Sequence, residues 1–354
     1  MSLALYLIGA PGAGKTSVFD ALTLTPAGPN FAVRGGNRIG AVKVPDARIE
    51  ALRTLYHPKK FTPAEVAFTD VAPPGGEAIR FGAMTPLLHN ADAFVLVIQA
   101  FGDTTRDGKP LDSAAQMESI LLELVVSDLE KIENRFERAE KDRNRGQKMS
   151  DNENAILLRC RERLEAGSPL LGLDLREDED KLLRTYQFLS LKPILVVANV
   201  SEDRLSGEGL EGLRALAERK GIELLPFCAP LEAEIAQLDV PAQESFLKDY
   251  GLSEPARVRA LQAAYRTLRL ISFFTVGEDE VRAWPIRENT RAQAAAGKIH
   301  SDLERGFIRA ETVASDALLA TGSLSKCREN ATLRLEGKEY IVRDGDVLNI
   351  RFSA

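Results

Sequence analysis

The chain has 354 residues, room for two or three domains, and its 44% apolar and 28% charged side chains are the balance of an ordinary globular protein. A net charge of −6 excludes a global attraction to nucleic acid, so any RNA contact has to come from a local basic patch, and no DNA partner is expected. Cys160, Cys228 and Cys327 are few and widely spaced, which argues against a disulfide framework or a zinc site; with no leader peptide and no long apolar span, no membrane contact is expected, and the expected compartment is the reducing cytoplasm.

Taken in chain order, the first signal is also the strongest. Leu3 to Ile8 reads as a buried parallel strand, running into Gly9-x-x-x-x-Gly14-Lys15-Thr16, and an amphipathic run through Val18, Phe19, Ala21 and Leu22 opens a helix. A strand before and a helix after is the setting a P-loop requires. Gly12, Ala13, Gly14, Lys15, Thr16 and Ser17 would hold the phosphates, because backbone N–H groups and the helix N-terminus both favour an anion there. Lys15 would reach the outer phosphates and is the candidate catalytic residue, and the Thr16 hydroxyl would bind Mg²⁺. The ligand expected from these residues is a nucleoside triphosphate with Mg²⁺.

Residues 30–112 alternate strand-like and helix-like pieces, with Glu65 to Asp70 a strand ending in an acid and Ala93 to Ile98 a fully buried strand. That alternation predicts an α/β fold, a parallel sheet with helices on both faces. From Ser113 the period changes: Leu121, Val125, Leu129, Ile132, Phe136 and Ala139 form a helical stripe, and a second stripe follows through Ile156, Leu157, Cys160 and Leu164. The turn between them predicts an antiparallel helical hairpin. Around its tip Arg135, Arg138, Lys141, Arg143, Arg145 and Lys148 stand among Glu137, Glu140 and Asp142, a pattern open to two readings: a solvated face, or a basic fingertip for RNA or a ribosome. Strand pattern resumes at Pro193–Asn199 and Ile222–Cys228, so the hairpin reads as an insertion. From Leu270 short mixed strands follow at Ile271–Val276, Val281–Ile286, Glu339–Val342 and Asp346–Phe352, the pattern of a small separate α+β domain. The expected partition is a nucleotide-binding domain over 1–112 and 181–267, a helical insertion over 113–180, and a C-terminal domain over 268–354.

Glu280-Val-Arg-Ala-Trp284, Ala296-Gly-Lys-Ile-His300, Glu304-Arg-Gly-Phe-Ile-Arg-Ala310 and Tyr340-Ile-Val-Arg-Asp-Gly-Asp-Val347, with Leu191-Lys-Pro193, Asn199-Val-Ser-Glu202 and Cys228-Ala-Pro-Leu-Glu-Ala-Glu-Ile235, resemble the YchF/Obg-like ATPase family of the translation-factor P-loop GTPases. The resemblance covers nearly the whole chain. It implies a P-loop NTPase domain, a coiled-coil insertion and a C-terminal TGS domain of ubiquitin-like β-grasp fold, associated with ribosomal RNA and the ribosome. Guanine is usually read in this class by Asn-Lys-x-Asp. The matching residues here are Asn199, Val200 and Glu202, with a longer acid and no stacking Lys, so the guanine clamp is poorly formed. The family shares the Asn-x-x-Glu pattern and prefers ATP to GTP, although Asp203 lies one position along and could restore a guanine contact. Cys228 and Ala229 would line the base edge with backbone groups.

The chain also departs from its relatives. No Thr or Ser lies between Pro26 and Arg53, where switch I normally gives Mg²⁺ a second hydroxyl; Arg34-Gly35-Gly36-Asn37 stands there instead, and an Asn carbonyl is a weaker ligand for a hard cation. The switch II Asp-x-x-Gly is Asp70-Val71-Ala72-Pro73, in which Asp70 can hold Mg²⁺ through water but Pro73 has no N–H for the γ-phosphate. No catalytic base stands out: His89 suits a structural or exposed role, His57 a turn, and His300 either packing or an RNA contact. Slow hydrolysis by a positioned water is what the resemblance implies. Two rival readings stay open, a non-hydrolysing nucleotide-binding ribosome adaptor and a nucleotide kinase.

Overall fold

The computed structural model describes residues 3–24, 32–34, 37–71, 87–143 and 148–353. Gly35, Gly36, Pro73 and Arg145, on which sequence expectations fall, lie outside them. In chain order the strands are β1 Ala4–Ile8, β2 Ala32–Arg34, β3 Asn37–Lys43, β4 Lys60–Thr62, β5 Glu65–Asp70, β6 Ala93–Ala100, β7 Ile194–Val200, β8 Glu223–Phe227, β9 Leu270–Thr275, β10 Glu280–Arg287, β11 Phe307–Ala314, β12 Arg334–Glu336 and β13 Asp346–Phe352. The helices used below are α1 Lys15–Thr23, α2 Ala47–Tyr56, α3 Ser113–Arg143, α4 Asp151–Glu165, α5 Ala229–Ile235, α6 Val240–Asp249, α7 Ala256–Thr267 and α8 Ala292–Ile299. Two compact units divide the chain, Leu3–Gly40 with Ala67–Ala260, and Ala41–Val66 with Leu261–Ala354.

The first unit is built on a sheet of order β2-β3-β5-β1-β6-β7-β8, whose members β5, β1, β6, β7 and β8 are parallel. All eight residues of β6 are buried, as expected of a strand covered on both faces. The register sets Leu7 beside Asp70, Gln99 beside Asn199 and Asn199 beside Phe227, so the carboxyl ends of three strands, β5, β6 and β7, deliver polar groups to one edge. Ligands gather at that edge in open α/β sheets.

Helix α3 serves two cores. Met117, Ile120, Leu121 and Leu124 pack on the sheet with Leu96, Val196 and Leu213. Further along, Val125 and Ile132 pack with Ile156, Leu157, Cys160 and Leu164 of α4. Arg135 is spent within this pair, its guanidinium 2.8 Å from Glu153. It is therefore not a free cation on α3.

The second unit is a sheet of order β12-β11-β13-β9-β10-β4 over a core of Ile271, Phe273, Ile286, Ala292, Ala295, Ala296, Phe307 and Ala310. The sequence reading places residues 41–66 with the nucleotide-binding domain, yet here they belong to this unit. Strand β4 pairs parallel with β10, Thr62 donates to Glu280 at 2.7 Å, Lys59 to Asp279 at 2.8 Å, and Arg48 on α2 to Asp344 at 2.7 Å. The stretch Glu339–Val342, expected as a strand, makes only an isolated bridge between Ile341 and Arg291. A turn bond from Tyr340 N–H to Gly337 and a bond from the Ala292 N–H of α8 to the Tyr340 carbonyl take up its backbone groups. Among the described residues no helix is long and apolar enough to cross a membrane.

Candidate functional site

The loop from Gly9 to Gly14 links the buried end of β1 to the first turn of α1. Gly12 and Gly14 hold φ of 87° and 84°, the left-handed region where a side chain is disfavoured. With no Cβ in the way, the loop curls back on itself, and Lys15 donates from Nζ to the carbonyls of Gly9 at 2.9 Å and Ala10 at 3.0 Å. Burial lowers the Lys15 pKa, an effect opposed by Asp70. A partly desolvated ammonium beside a ring of amides is primed to exchange two carbonyls for the oxygens of a polyphosphate.

Thr16 donates from Oγ1 to Asp70 Oδ2 at 3.0 Å, so the two residues expected at the metal lie side by side although 54 positions apart. A hydroxyl and a carboxylate, with water and phosphate oxygens completing the shell, fit a hard cation such as Mg²⁺. Arg38 on β3 also reaches this point. Its Nη2 is ion-paired with Asp20 of α1, and its Nη1 lies 4.0 Å from Asp70 Oδ2.

Asn199 closes the loop from the other side. Its Nδ2 donates to the Ala13 carbonyl at 3.1 Å, and its Oδ1 accepts from the Ala229 N–H at 3.5 Å; the side chain is 4% exposed. Beyond it opens a cavity of about 450 Å³ whose lining includes Gly14, Ser17, Phe101, Val200, Glu202, Cys228 and Ala229. Burial pushes the Cys228 thiol up, leaving it neutral against the cavity. The residues expected at the phosphates and at the base thus lie together, from the loop at Ala13 through Asn199 to Ala229. Of the two acids, Glu202 lines the cavity, and its Oε1 accepts from the Tyr250 hydroxyl just past α6. The neighbouring Asp203 is held below the usual carboxylate range by the Ser201 hydroxyl and its own backbone N–H.

Three contributors escape the sequence reading. Phe101 follows β6 directly and offers an aromatic wall; its place at a strand's carboxyl end was the available signal. Tyr250, stacked on Phe246 with centroids 4.9 Å apart, and Arg38 have no local signature. The three histidines stay away from the phosphate loop in their contacts. His89 faces Lys131 at 3.2 Å, and burial and two lysines lower its pKa. His57 ends α2 in the left-handed region, and His300 Nδ1 accepts from the Asp302 N–H at 3.2 Å as a helix cap.

A parallel sheet that presents a glycine-rich loop, a strand-end acid and an Asn-closed cavity at one edge defines a P-loop nucleotide-binding protein. Residues 270–353 match the YchF-GTPase_C family model, described as "Protein of unknown function (DUF933)". The chain is 38% identical to a Bacillus subtilis protein and 35% identical to one of Escherichia coli O157:H7, both named Ribosome-binding ATPase YchF, with 100% of each chain covered. The solved Schizosaccharomyces pombe YchF GTPase matches with a TM-score of 0.85 at 26% identity, over 99% of this chain and 98% of that one. The chain belongs to the YchF family.

Proposed function

We propose that this chain is an ATP-preferring, Mg²⁺-using nucleotide-binding protein that hydrolyses slowly and works at the ribosome in the cytoplasm. The observation that carries the reading is Asn199, whose amide ties the phosphate loop at Ala13 to the cavity wall at Ala229. In this assignment Gly12 to Ser17 hold the phosphates and Lys15 the outer charge. Thr16 and Asp70 would hold Mg²⁺, which when bound neutralises phosphate charge. Asn199, Val200, Glu202, Cys228 and Ala229 frame the base, with Phe101 as an added stacking face. The insertion over 113–180 and a TGS-type domain over 268–354 would supply the contacts to the ribosome and its RNA.

The base preference follows from hydrogen-bond arithmetic. Guanine presents two adjacent donors and needs both oxygens of one carboxylate; Tyr250 already occupies one oxygen of Glu202. Adenine asks only for an acceptor opposite its exocyclic amine, which the remaining oxygen supplies. Titration calorimetry with ATP and with GTP in Mg²⁺ tests this directly. ATP is expected to bind about tenfold or more tighter than GTP, and Glu202→Asp with Tyr250→Phe should narrow that ratio by about tenfold. Binding of neither nucleotide overturns the proposal. Turnover separates catalysis from the adaptor reading, which the missing N–H of Pro73 favours.

The ribosomal assignment rests on the names of the full-length relatives and on cations beyond the engaged Arg135. Reversing the charge of Arg143, Arg145 and Lys148 together should weaken co-sedimentation with ribosomes and flatten its logarithmic salt slope by about 2–3. Unchanged pelleting across salt would remove the hairpin from the interface.

A further inference from the structure

A cation from another part of the chain lies against the phosphate loop. Strand β6 ends at Ala100, and just past Phe101 the backbone folds into a small hairpin, closed by a bridge between Thr104 and Pro110. Its turn is bonded from the Gly108 N–H to the Thr105 carbonyl at 2.9 Å and from the Thr105 N–H to the Lys109 carbonyl at 2.8 Å. Gln99, 5% exposed near the end of β6, donates from Nε2 to the carbonyls of Phe101 at 3.2 Å and Thr104 at 3.0 Å. A buried side chain therefore braces the hairpin against the sheet, and Arg106 stands at its tip.

That tip rests on the phosphate loop. A Cβ placed on Gly12 would lie 3.2 Å from Arg106 Cβ and 3.9 Å from its Cδ, so the aliphatic stem runs over the Gly12 turn and leaves the charged head at the surface. The hairpin starts from the other end of the same site: Phe101 lines the base cavity, and its Cε1 would lie 3.9 Å from a Cβ on Gly14. Among the described residues no hydrogen bond, ion pair or ring contact engages the Arg106 guanidinium. The backbone N–H groups of a P-loop cradle the α- and β-phosphates, whereas its Lys serves the outer ones. A guanidinium over Gly12 is charged at every working pH, and its planar fork matches a pair of phosphate oxygens.

We propose that Arg106 is a polyphosphate-binding residue, closing its guanidinium over Gly12 onto the β-phosphate of the bound nucleotide. The proposal rests on the nucleotide-site reading above and adds to it a side chain from the hairpin after β6. The β-phosphate is common to ATP and ADP, so the contact serves both. It concerns binding and makes no claim on turnover.

The test is titration calorimetry of ATP and of ADP, each with Mg²⁺, into the full-length protein. Arg106→Gln should weaken both nucleotides by about tenfold, the loss of one charge-assisted phosphate contact near the surface. Arg106→Lys, which keeps the charge without the fork, should lose about threefold for both. Lys109→Gln, which removes an exposed cation from the same hairpin, should stay within about twofold of wild type. Thermal melts report whether each variant is folded, and Arg106→Lys decides alone if Arg106→Gln is not. Arg106 variants within about twofold of wild type, a loss confined to ATP, or an equal loss in Lys109→Gln overturns the proposal while leaving the nucleotide site standing. Wild-type protein that binds neither nucleotide removes the site itself, and this proposal with it.

Discussion

Gly14→Ala is expected to abolish ATP binding and to lower the stability of the folded protein by about 2–4 kcal/mol. Two effects combine at this residue. The backbone at Gly14 has φ of 84°, so any Cβ is strained there by about 1–2 kcal/mol before it meets a neighbour. The neighbour it then meets is the group that closes the site: a Cβ would stand 2.2 Å from Asn199 Nδ2. Asn199 is 4% exposed and bonded at both ends, to the Ala13 carbonyl and from the Ala229 N–H. To make room it must release both, which leaves buried polar groups unpaired and separates the phosphate loop from the cavity. Gly102→Ala is the control for strain alone, since Gly102 has φ of 67° and nothing within 4 Å of its would-be Cβ. That variant should lose about 1 kcal/mol and keep its ATP affinity. Calorimetry and thermal denaturation of the two variants make the comparison. ATP binding by Gly14→Ala within about threefold of wild type would show that the Asn199 link is not what joins loop and cavity.

The contrast between these two glycines shows what sequence can and cannot announce. Gly9 to Thr16 is legible because its function is local: spacing, a strand before and a helix after all lie within twenty residues. Buried strands such as β6 and β7 are legible for a similar reason, as continuous apolar runs that end in a polar residue. Asn199 is found through a motif, but its partners at Ala13 and Ala229 are supplied by the register of the sheet. Arg38 carries no motif at all. Its meaning depends on pairing with Asp20, 18 positions away, and on the folding of β3 toward Asp70. Strand β4 is hidden more deeply, being three residues long and bonded to Glu280 at a separation of 218. So short an element has no periodicity to read. The apolar and charged character of residues 41–66 is equally compatible with either unit, and only the pairing of β4 with β10 decides between them.

Asp128→Ala is expected to destabilise the first unit by about 2–4 kcal/mol without touching the nucleotide site. Asp128 lies on α3 between the part that packs on the sheet and the part that packs on α4, and it is 0% exposed. Its two oxygens accept from the N–H groups of Leu189 at 2.9 Å and Ser190 at 2.7 Å, fixing the segment that leads into β7. Lys131 lies 3.6 Å away, and Lys192 donates from the same neighbourhood to the His89 carbonyl at 2.8 Å. Alanine would leave two buried amides without their acceptor and take the counter-charge from Lys131, which would keep only the Gln187 carbonyl and His89, a larger loss than a merely absent hydrogen bond. The pH dependence gives a second signature. Burial raises the Asp128 pKa against the pull of the two amides and Lys131. A carboxyl whose folded pKa is raised stabilises most when protonated, and that contribution fades as pH climbs from the ordinary carboxylate range through the folded value. The gap between wild type and Asp128→Ala should therefore be widest in acid and narrower at neutral pH. Chemical denaturation of both proteins across that range measures it. A gap that widens toward neutrality would show that the two amides and Lys131 together outweigh burial, so that the ionised carboxylate is the form in which Asp128 secures the junction of helix and sheet.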